Sequence, residues 1–261
     1  MPPTAAPPPS GLPTAPASPD RPAHLLLVRH GESVGNVAAT AAEASAAEVV
    51  DVVTRDADTP LSDRGVEQAR ALGRRLAALD PGDRPDAVWC SPYVRAHRTT
   101  LEALAAAGLA VPVRVDERLR DRELGITDRL TARGIAARLP DEAARRRLLG
   151  KMYYRPPGGE SWADVALRLR SVLADVERLA AGRRVLVVTH DAVVHLVRYV
   201  LEELSEDQLL AAVRERSVRN ASLTRLDPPA DGTGPWRTVL LDDVGHLDDV
   251  PVTEHEGRGD A

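Results

Sequence analysis

Residues 27–33 read Leu-Val-Arg-His-Gly-Glu-Ser, and they end an apolar run that begins at His24. A short apolar run that stops at a turn residue is typical of a buried β-strand. Residues 185–191, Val-Leu-Val-Val-Thr-His-Asp, repeat the arrangement. The sequence therefore predicts two buried strands that each end in a histidine, His30 or His190, just before a helix.

The segments around these strands alternate between the periods of strands and helices. Apolar residues recur at helical spacing after Ser62 and after Ser161, and a serine at such a position is a favoured N-cap. Alternating strands and helices predict an α/β fold. The remaining expected elements are a strand at Ala87–Cys90, a helix opened by Ser91 and Pro92 and ended by Gly108, an edge strand within Val111–Val115, and closing strands at Ala221–Leu226 and Trp236–Leu241.

The chain of 261 residues has the composition of a folded protein, with 43% hydrophobic and 28% charged residues. It contains no phenylalanine, so the core has to be built mainly from leucine, valine and alanine. Residues 1–22 hold nine of the 21 prolines and show no apolar periodicity, which predicts a disordered tail. The polar residues 248–261 predict a second, flexible tail.

The charge balance and the residue types exclude several classes of protein. A net charge of -5 and an aromatic content of 3% argue against binding to nucleic acids. The single cysteine, Cys90, excludes an internal disulfide and a zinc site built from several thiolates. The apolar runs are too short to span a membrane, and the N-terminus lacks the pattern of a signal sequence. We therefore expect a cytoplasmic protein that binds neither membranes nor nucleic acids; its oligomeric state stays open, a homodimer included.

The predicted strand ends collect side chains that suit a phosphoryl group. Ligands of α/β sheets bind beyond the carboxyl ends of the strands, where helix N-termini favour anions. Arg29 and His30 end one strand, and His190 ends the other. Arg95 lies in the first turn of the helix that Ser91 opens, and guanidinium groups match phosphate oxygens in pairs. No carboxylate has the usual ligand spacing to either histidine, so we expect neither a metal ion nor another cofactor.

Short motifs follow one another along the chain in a fixed order. They are Arg29-His30-Gly31-Glu32, Pro60-Leu61-Ser62 with Gly65, Ser91-Pro92 with Arg95-Ala96, Pro157-Gly158-Gly159-Glu160-Ser161, and Val188-Thr189-His190. This order resembles that of the histidine phosphatase superfamily, the group that contains cofactor-dependent phosphoglycerate mutase. The resemblance implies a three-layer fold with a mostly parallel central sheet flanked by helices, a domain over residues 23–247, and a lid-like insertion at residues 126–160.

The resemblance also implies a mechanism in which His30 is a nucleophile that becomes transiently phosphorylated. A neutral imidazole is nucleophilic near neutral pH, and a hydrogen bond from its other nitrogen to a backbone carbonyl would orient it. Arg29, Arg95 and a protonated His190 would hold the phosphoryl oxygens. The family's proton donor falls on Asp121, where many relatives have glutamate. Because aspartate is shorter by one methylene, Glu123 is kept as an alternative donor.

Five other residues are predicted to bind the substrate. Asn36 matches a family position that adds a neutral hydrogen bond to the phosphoryl group. Gly31 and Glu32 belong to the first motif, although an acid at Glu32 is equally well explained by the dipole at a helix start. Tyr154 and Arg155 come just before the glycine-rich motif, and this place in the chain suggests the lip of the pocket.

The function that these features favour is hydrolysis of small phosphomonoesters through a phosphohistidine. A phosphoglycerate mutase is an alternative, but mutases of this family carry a Phe-Thr-Gly-Trp-like segment soon after the first motif. Here the corresponding residues, 37–58, are rich in alanine and contain no aromatic residue. A protein that binds a phosphorylated ligand without turnover is a third alternative.

Overall fold

The computed structural model describes residues 20–254 of the chain. A mixed sheet of six strands lies at its centre. The strands are β1 His24–Arg29, β2 Ala87–Cys90, β3 Val113–Val115, β4 Arg184–Thr189, β5 Leu223–Asp227 and β6 Arg237–Asp243. Their order in the sheet is β3-β2-β4-β1-β5-β6. The first four in this order are parallel, and β5 is antiparallel to both of its neighbours.

Helices cover both faces of the sheet, which confirms the predicted three-layer α/β fold. They are α1 Val34–Ala44, α2 Asp63–Ala77, α3 Val94–Ala107, α4 Ala132–Arg138, α5 Pro140–Tyr153, α6 Trp162–Leu179, α7 Asp191–Leu201 and α8 Glu206–Glu215. None of the helices within residues 20–254 is both long enough and apolar enough to cross a lipid bilayer.

The strand β1 shows how the apolar runs build this core. Leu25 and Leu27 pack with α6 and α7 on one face of the sheet. Leu26 and Val28 pack with α2 and α3 on the other face. Successive side chains of a strand point to opposite faces, so a strand covered on both sides has to be apolar throughout. The continuous run that predicted β1 is therefore explained by helices on both faces.

Serine caps set the start of two long helices as predicted. Ser62 accepts a hydrogen bond from the Gly65 amide at 3.0 Å and begins α2. Ser161 accepts one from the Asp164 amide at 3.1 Å and begins α6. The helix expected to open at Ser91 and Pro92 begins at Val94, three residues after Ser91. This shift follows from pairing with β4, because the Ser91 amide still donates to the Val188 carbonyl at 3.0 Å.

Residues 1–19 of the first predicted tail and residues 255–261 of the second lie outside the described residues. The parts that are described are attached to the domain. Arg21 donates to a backbone carbonyl of the loop before β6 at 3.1 Å. Thr253 is buried, and its carbonyl and hydroxyl bond to Asn220 at 3.0 and 3.1 Å. The flexible tail predicted from residue 248 thus does not begin there, because polar residues that suggested a solvated segment pair with buried polar groups.

Residues 126–160, predicted as a lid-like insertion, contain the helices α4 and α5. The segment is tied to the chain that follows α1, since the Val50 amide donates to the Arg129 carbonyl at 2.8 Å and the Thr131 amide donates to the Glu48 carbonyl at 3.1 Å. Near the end of α5, Gly150 interrupts the helix with a φ of 70°. The role of the segment as a lid stays a prediction.

Candidate active site

The structure brings together the two histidines that end β1 and β4. These strands are parallel neighbours, with Arg29 opposite Thr189. The residues that follow, His30 and His190, therefore leave the sheet side by side. Their ring centroids are 5.1 Å apart, the ring planes are inclined at 63°, and both side chains are buried.

The ring of His30 is oriented by a hydrogen bond at each nitrogen. Its Nδ1 lies 2.7 Å from the Gly31 carbonyl oxygen, which can only accept, so Nδ1 carries the proton. The Nε2 atom then holds a lone pair, to which Arg95 Nε donates at 3.1 Å. This is the tautomer that a nucleophilic imidazole needs, with Nε2 directed at the arginine that would bind a phosphoryl oxygen.

Both histidines are neutral in the unliganded site. Burial lowers the pKa of His30 well below its usual range, and the charge of Arg95 adds to the effect. Burial and Arg95 also lower the pKa of His190 well below that range. The expected protonated state of His190 therefore does not hold without a ligand, because the nearby arginines oppose a further positive charge. A bound dianion would act in the opposite direction and favour protonation of His190.

This neutrality can be tested by titration. We expect the ring of His30 to keep its neutral form, with the proton on Nδ1, as the pH falls through about 6.5, where an exposed histidine of a reference peptide takes up its proton. Nitrogen-15 NMR of the ring nitrogens between neutral and mildly acidic pH would measure this. A His30 signal that titrates together with the reference peptide would contradict the electrostatic argument.

Arg29 and Arg95 reach the site from different elements and are both buried. Arg29 donates to the Ser217 hydroxyl at 3.2 Å and to the carbonyl of Val218. Arg95 lies in the first turn of α3, and one of its terminal nitrogens lies 3.0 Å from an oxygen of Asp121. Two guanidinium groups fixed in this way have the charge and the geometry that suit phosphoryl oxygens.

Asp121, and not Glu123, faces the histidines. Asp121 Oδ2 lies 3.0 Å from Arg95 and 3.4 Å from His190 Nδ1, and its Oδ1 accepts from the next backbone amide at 2.9 Å. The Glu123 side chain is 49% exposed and accepts from the Tyr93 hydroxyl at 2.7 Å. The carboxylate of the shorter aspartate therefore reaches both Arg95 and His190.

These groups surround one cavity, which holds about 510 Å³ of space that is partly open to solvent. Its charged lining residues are three arginines and three aspartates. Asn36 lies in the wall, where its carbonyl oxygen accepts from the Ser33 amide at 3.0 Å. The lining residues are Arg29, His30, Ser33, Asn36, Asp56, Arg95, Asp121, Arg122, Leu124, Asp191 and Ala192.

Two residues of the first motif lie next to the cavity without lining it. A Cβ atom on Gly31 would lie 2.5 Å from the Gly65 carbonyl oxygen, so a glycine is needed where the chain passes α2. The Glu32 carboxylate accepts from the Ser62 hydroxyl at 2.7 Å and lies 3.4 Å from Arg64. The structure thus places the Glu32 carboxylate at the N-terminus of α2, where the helix dipole favours a negative charge.

Tyr154 and Arg155, predicted at the pocket lip, are also not brought to the cavity. Tyr154 is buried and donates to Glu142 of α5 at 3.0 Å. Burial, together with this hydrogen bond, raises the pKa of Tyr154 to about 12. Arg155 is held by Asp164 in the first turn of α6, with an Nε to Oδ2 distance of 2.7 Å. Both side chains find partners on helices, so position in the chain did not predict their direction.

Three residues that the sequence analysis did not assign support the site. Asp56 pairs with Arg95 at 3.0 Å, and no motif of its alanine-rich segment predicted this contact. The Ser91 hydroxyl bonds to His190 Nε2 at 2.8 Å. Asn220 donates to the His30 carbonyl at 3.0 Å. Ser91 does belong to the motif Ser91-Pro92, but that motif predicted only the start of a helix.

No group of three or more histidine, cysteine or carboxylate side chains among residues 20–254 is arranged to hold a metal ion. The lone cysteine, Cys90, is a buried core residue. Burial raises the pKa of its thiol to about 12.

The same architecture and motifs occur in a known family. The model of the histidine phosphatase superfamily (branch 1) matches residues 25–241. The chain belongs to the histidine phosphatase superfamily. One member similar to it is the 2,3-bisphosphoglycerate-dependent phosphoglycerate mutase of Methylobacterium radiotolerans, which is 33% identical over 223 residues, or 84% of this chain and 96% of that protein.

Solved structures of superfamily phosphatases have the same fold. The mycobacterial glucosyl-3-phosphoglycerate phosphatase superposes with a TM-score of 0.65 and 28% identity over 84% of this chain and 98% of that one. The α-ribazole phosphatase of Shigella flexneri superposes with a TM-score of 0.68 over 84% of this chain and 96% of that one, at 21% identity. Because the superfamily relatives include mutases and phosphatases, the cavity belongs to an enzyme that handles phosphoryl groups.

Proposed function

We propose that the protein is a phosphatase that hydrolyses small phosphomonoesters through a phosphohistidine at His30. The observation that carries the proposal is the orientation of the His30 ring. Its Nδ1 is committed to the Gly31 carbonyl at 2.7 Å, and its Nε2 is directed at Arg95 at 3.1 Å, inside a cavity that Asp121 also lines. A nucleophile, a cation for the phosphoryl oxygens and a proton donor therefore share one space.

In the first half of the reaction, His30 Nε2 forms a bond to phosphorus as the bond from phosphorus to the ester oxygen breaks. Asp121, in its acid form, gives its proton to the leaving oxygen, so that an alcohol departs. Arg29 and Arg95 bind the phosphoryl oxygens, whose charge has to be stabilised during transfer. His190, which becomes easier to protonate beside a dianion, adds a third donor.

In the second half, water takes the place of the alcohol. Asp121, now a carboxylate, removes a proton from the water as its oxygen attacks phosphorus. The bond from phosphorus to Nε2 breaks, and His30 returns to its neutral form with the proton still on Nδ1. Inorganic phosphate then leaves, and Asp121 again carries the proton for the next cycle.

Hydrolysis is supported over isomerisation by two features. The solved phosphatase from mycobacteria is 28% identical to this chain, and the match covers 98% of the phosphatase. Residues 37–58 also lack the aromatic segment expected of a mutase. The mutase alternative is kept as an outcome of the experiment because the Methylobacterium radiotolerans mutase is 33% identical.

The proposal is tested by assaying the wild-type protein with EDTA present. We expect release of inorganic phosphate from an aryl phosphate and from small alkyl phosphates. A parallel assay follows interconversion of phosphoglycerates with 2,3-bisphosphoglycerate added. Isomerisation faster than phosphate release would replace the phosphatase proposal with the mutase. Binding of phosphate without turnover of any substrate would favour the non-catalytic alternative.

A further inference from the structure

The contacts of Asp56 set it apart from the residues of the motifs. Asp56 opens a short 3₁₀ turn, Asp56–Asp58, in the segment between α1 and α2. Its carboxylate lies 3.0 Å from a terminal nitrogen of Arg95, and its carbonyl accepts from the other terminal nitrogen at 2.6 Å. Its side chain lines the cavity and is 22% exposed. The turn therefore brings a negative charge to the arginine of the proposed phosphoryl site.

The position of Asp56 relative to the proton donor follows from a shared partner. Asp56 Oδ2 and Asp121 Oδ2 each lie 3.0 Å from the same nitrogen of Arg95. In the proposed reaction Asp121 protonates the leaving oxygen, so the alcohol part of the ester departs on the side of Asp121. Asp56 is thus close to the path of the alcohol, whereas His30 attacks phosphorus from the opposite side.

The turn that carries Asp56 is held in place by its neighbours. The Thr59 hydroxyl donates to the Arg55 carbonyl at 3.1 Å, and the Asp58 amide donates to the same carbonyl at 3.0 Å. Thr54 and Thr59 share a further hydrogen bond at 3.0 Å. A carboxylate fixed on such a turn has little freedom to move away from a bound ligand.

The charges of the site decide what this carboxylate does. In the unliganded site Asp56 pairs with Arg95 at 3.0 Å, and a phosphoryl oxygen bound to Arg95 would take over part of the charge of that arginine. A negative group on the alcohol part would then face Asp56, whose own charge Arg95 neutralises less. The repulsion between the two negative charges costs more free energy as the site excludes water. A neutral or cationic alcohol would meet no such repulsion.

We propose that Asp56 is a specificity-determining residue that disfavours phosphomonoesters with an anionic alcohol part and favours esters of neutral or cationic alcohols. The inference rests on the proposed function and narrows its substrate class. It predicts that small esters with a carboxylate near the phosphoryl group are poor substrates.

Three two-carbon esters of similar size test the proposal: 2-phosphoglycolate, 2-hydroxyethyl phosphate and phosphoethanolamine, whose alcohol parts are anionic, neutral and cationic. We expect kcat/KM of the wild type to be lowest for 2-phosphoglycolate. Asp56→Asn should raise kcat/KM for 2-phosphoglycolate relative to the neutral ester by about tenfold, the size of effect that one close charge can exert. The same variant should lower the relative rate with phosphoethanolamine.

Two further variants separate charge from structure. Asp56→Glu keeps the charge and should keep the wild-type order of the esters. Asp58→Asn removes a carboxylate from the same turn, but Asp58 pairs with Arg55 at 2.8 Å outside the cavity. The ratios of kcat/KM among the three esters should therefore be the same for Asp58→Asn as for the wild type. Equal changes for all three esters in Asp56→Asn would show that Asp56 only holds Arg95, and would overturn the proposal.

Binding measurements separate this inference from the proposed function. Calorimetry of the three esters with His30→Ala, alone and combined with Asp56→Asn, measures the same discrimination without turnover. If the wild type hydrolyses none of the esters, the phosphatase proposal fails, while the ratio of dissociation constants still decides the role of Asp56. Ratios that Asp56→Asn leaves unchanged would overturn the inference in either case.

Discussion

The His30→Ala variant is expected to release phosphate from an aryl ester more slowly than the wild type by roughly 10⁴-fold or more, because it lacks the imidazole that forms the proposed covalent intermediate. An aryl leaving group needs little help from a proton donor, so this substrate reports on the nucleophile alone. Initial rates measured with EDTA present provide the comparison. Mass spectrometry of the wild type after an alkaline quench should locate a phosphoryl group on the peptide that contains His30.

His97→Ala is the matched control for this variant. His97 lies on α3, two residues after Arg95, but it does not line the cavity. Its replacement should leave the rate close to that of the wild type. Circular dichroism of both variants verifies that they are folded. Substantial turnover by a folded His30→Ala protein would contradict the proposed phosphohistidine and point to direct attack by water.

The second large effect is expected of Asp121→Asn, and it should depend on the leaving group. The amide keeps the size of the side chain and can accept from Arg95, but it cannot donate the proton that an alkoxide needs. We expect kcat for an alkyl phosphate to fall by about 10²- to 10⁴-fold, the usual contribution of a general acid. The rate with an aryl phosphate should fall far less. A series of esters with leaving groups of rising pKa measures this difference.

Glu123→Gln decides between the two candidate donors. Glu123 is half exposed and bonds to the Tyr93 hydroxyl, outside the cavity lining. Its replacement should therefore change the rates with alkyl and aryl esters by similar, small factors. If Glu123→Gln shows the dependence on the leaving group and Asp121→Asn does not, the assignment of the proton donor is reversed.

The sequence predicted structure best where buried apolar residues follow the period of a strand or a helix. The apolar runs of β1 and β4 predicted both strands, and the residues directly after them, His30 and His190, meet because parallel neighbours end at the same edge. The helix expected after Ser91 added Arg95, and the family resemblance added Asp121; the structure places both in the same cavity. Their catalytic roles remain predictions that the variants above would test.

Predictions based only on position in the chain were less successful. Tyr154 and Arg155 lie just before a motif, but their side chains turn to α5 and α6, where Glu142 and Asp164 bind them. Many positions near a pocket could face it, and local sequence does not state which distant partner a long polar side chain will find. Such pairing is decided by the packing of the helices.

Asp56 gives the sharpest contrast between the two kinds of information. Local patterning determined the α/β layers and the histidines at the strand ends, because burial and turn chemistry act between residues that are close in the chain. Only the tertiary structure placed Asp56 against Arg95, 39 positions away, beside Asp121. Coulombic interactions depend on distances in space, so the charge balance of the cavity was decided only when the fold brought these segments together.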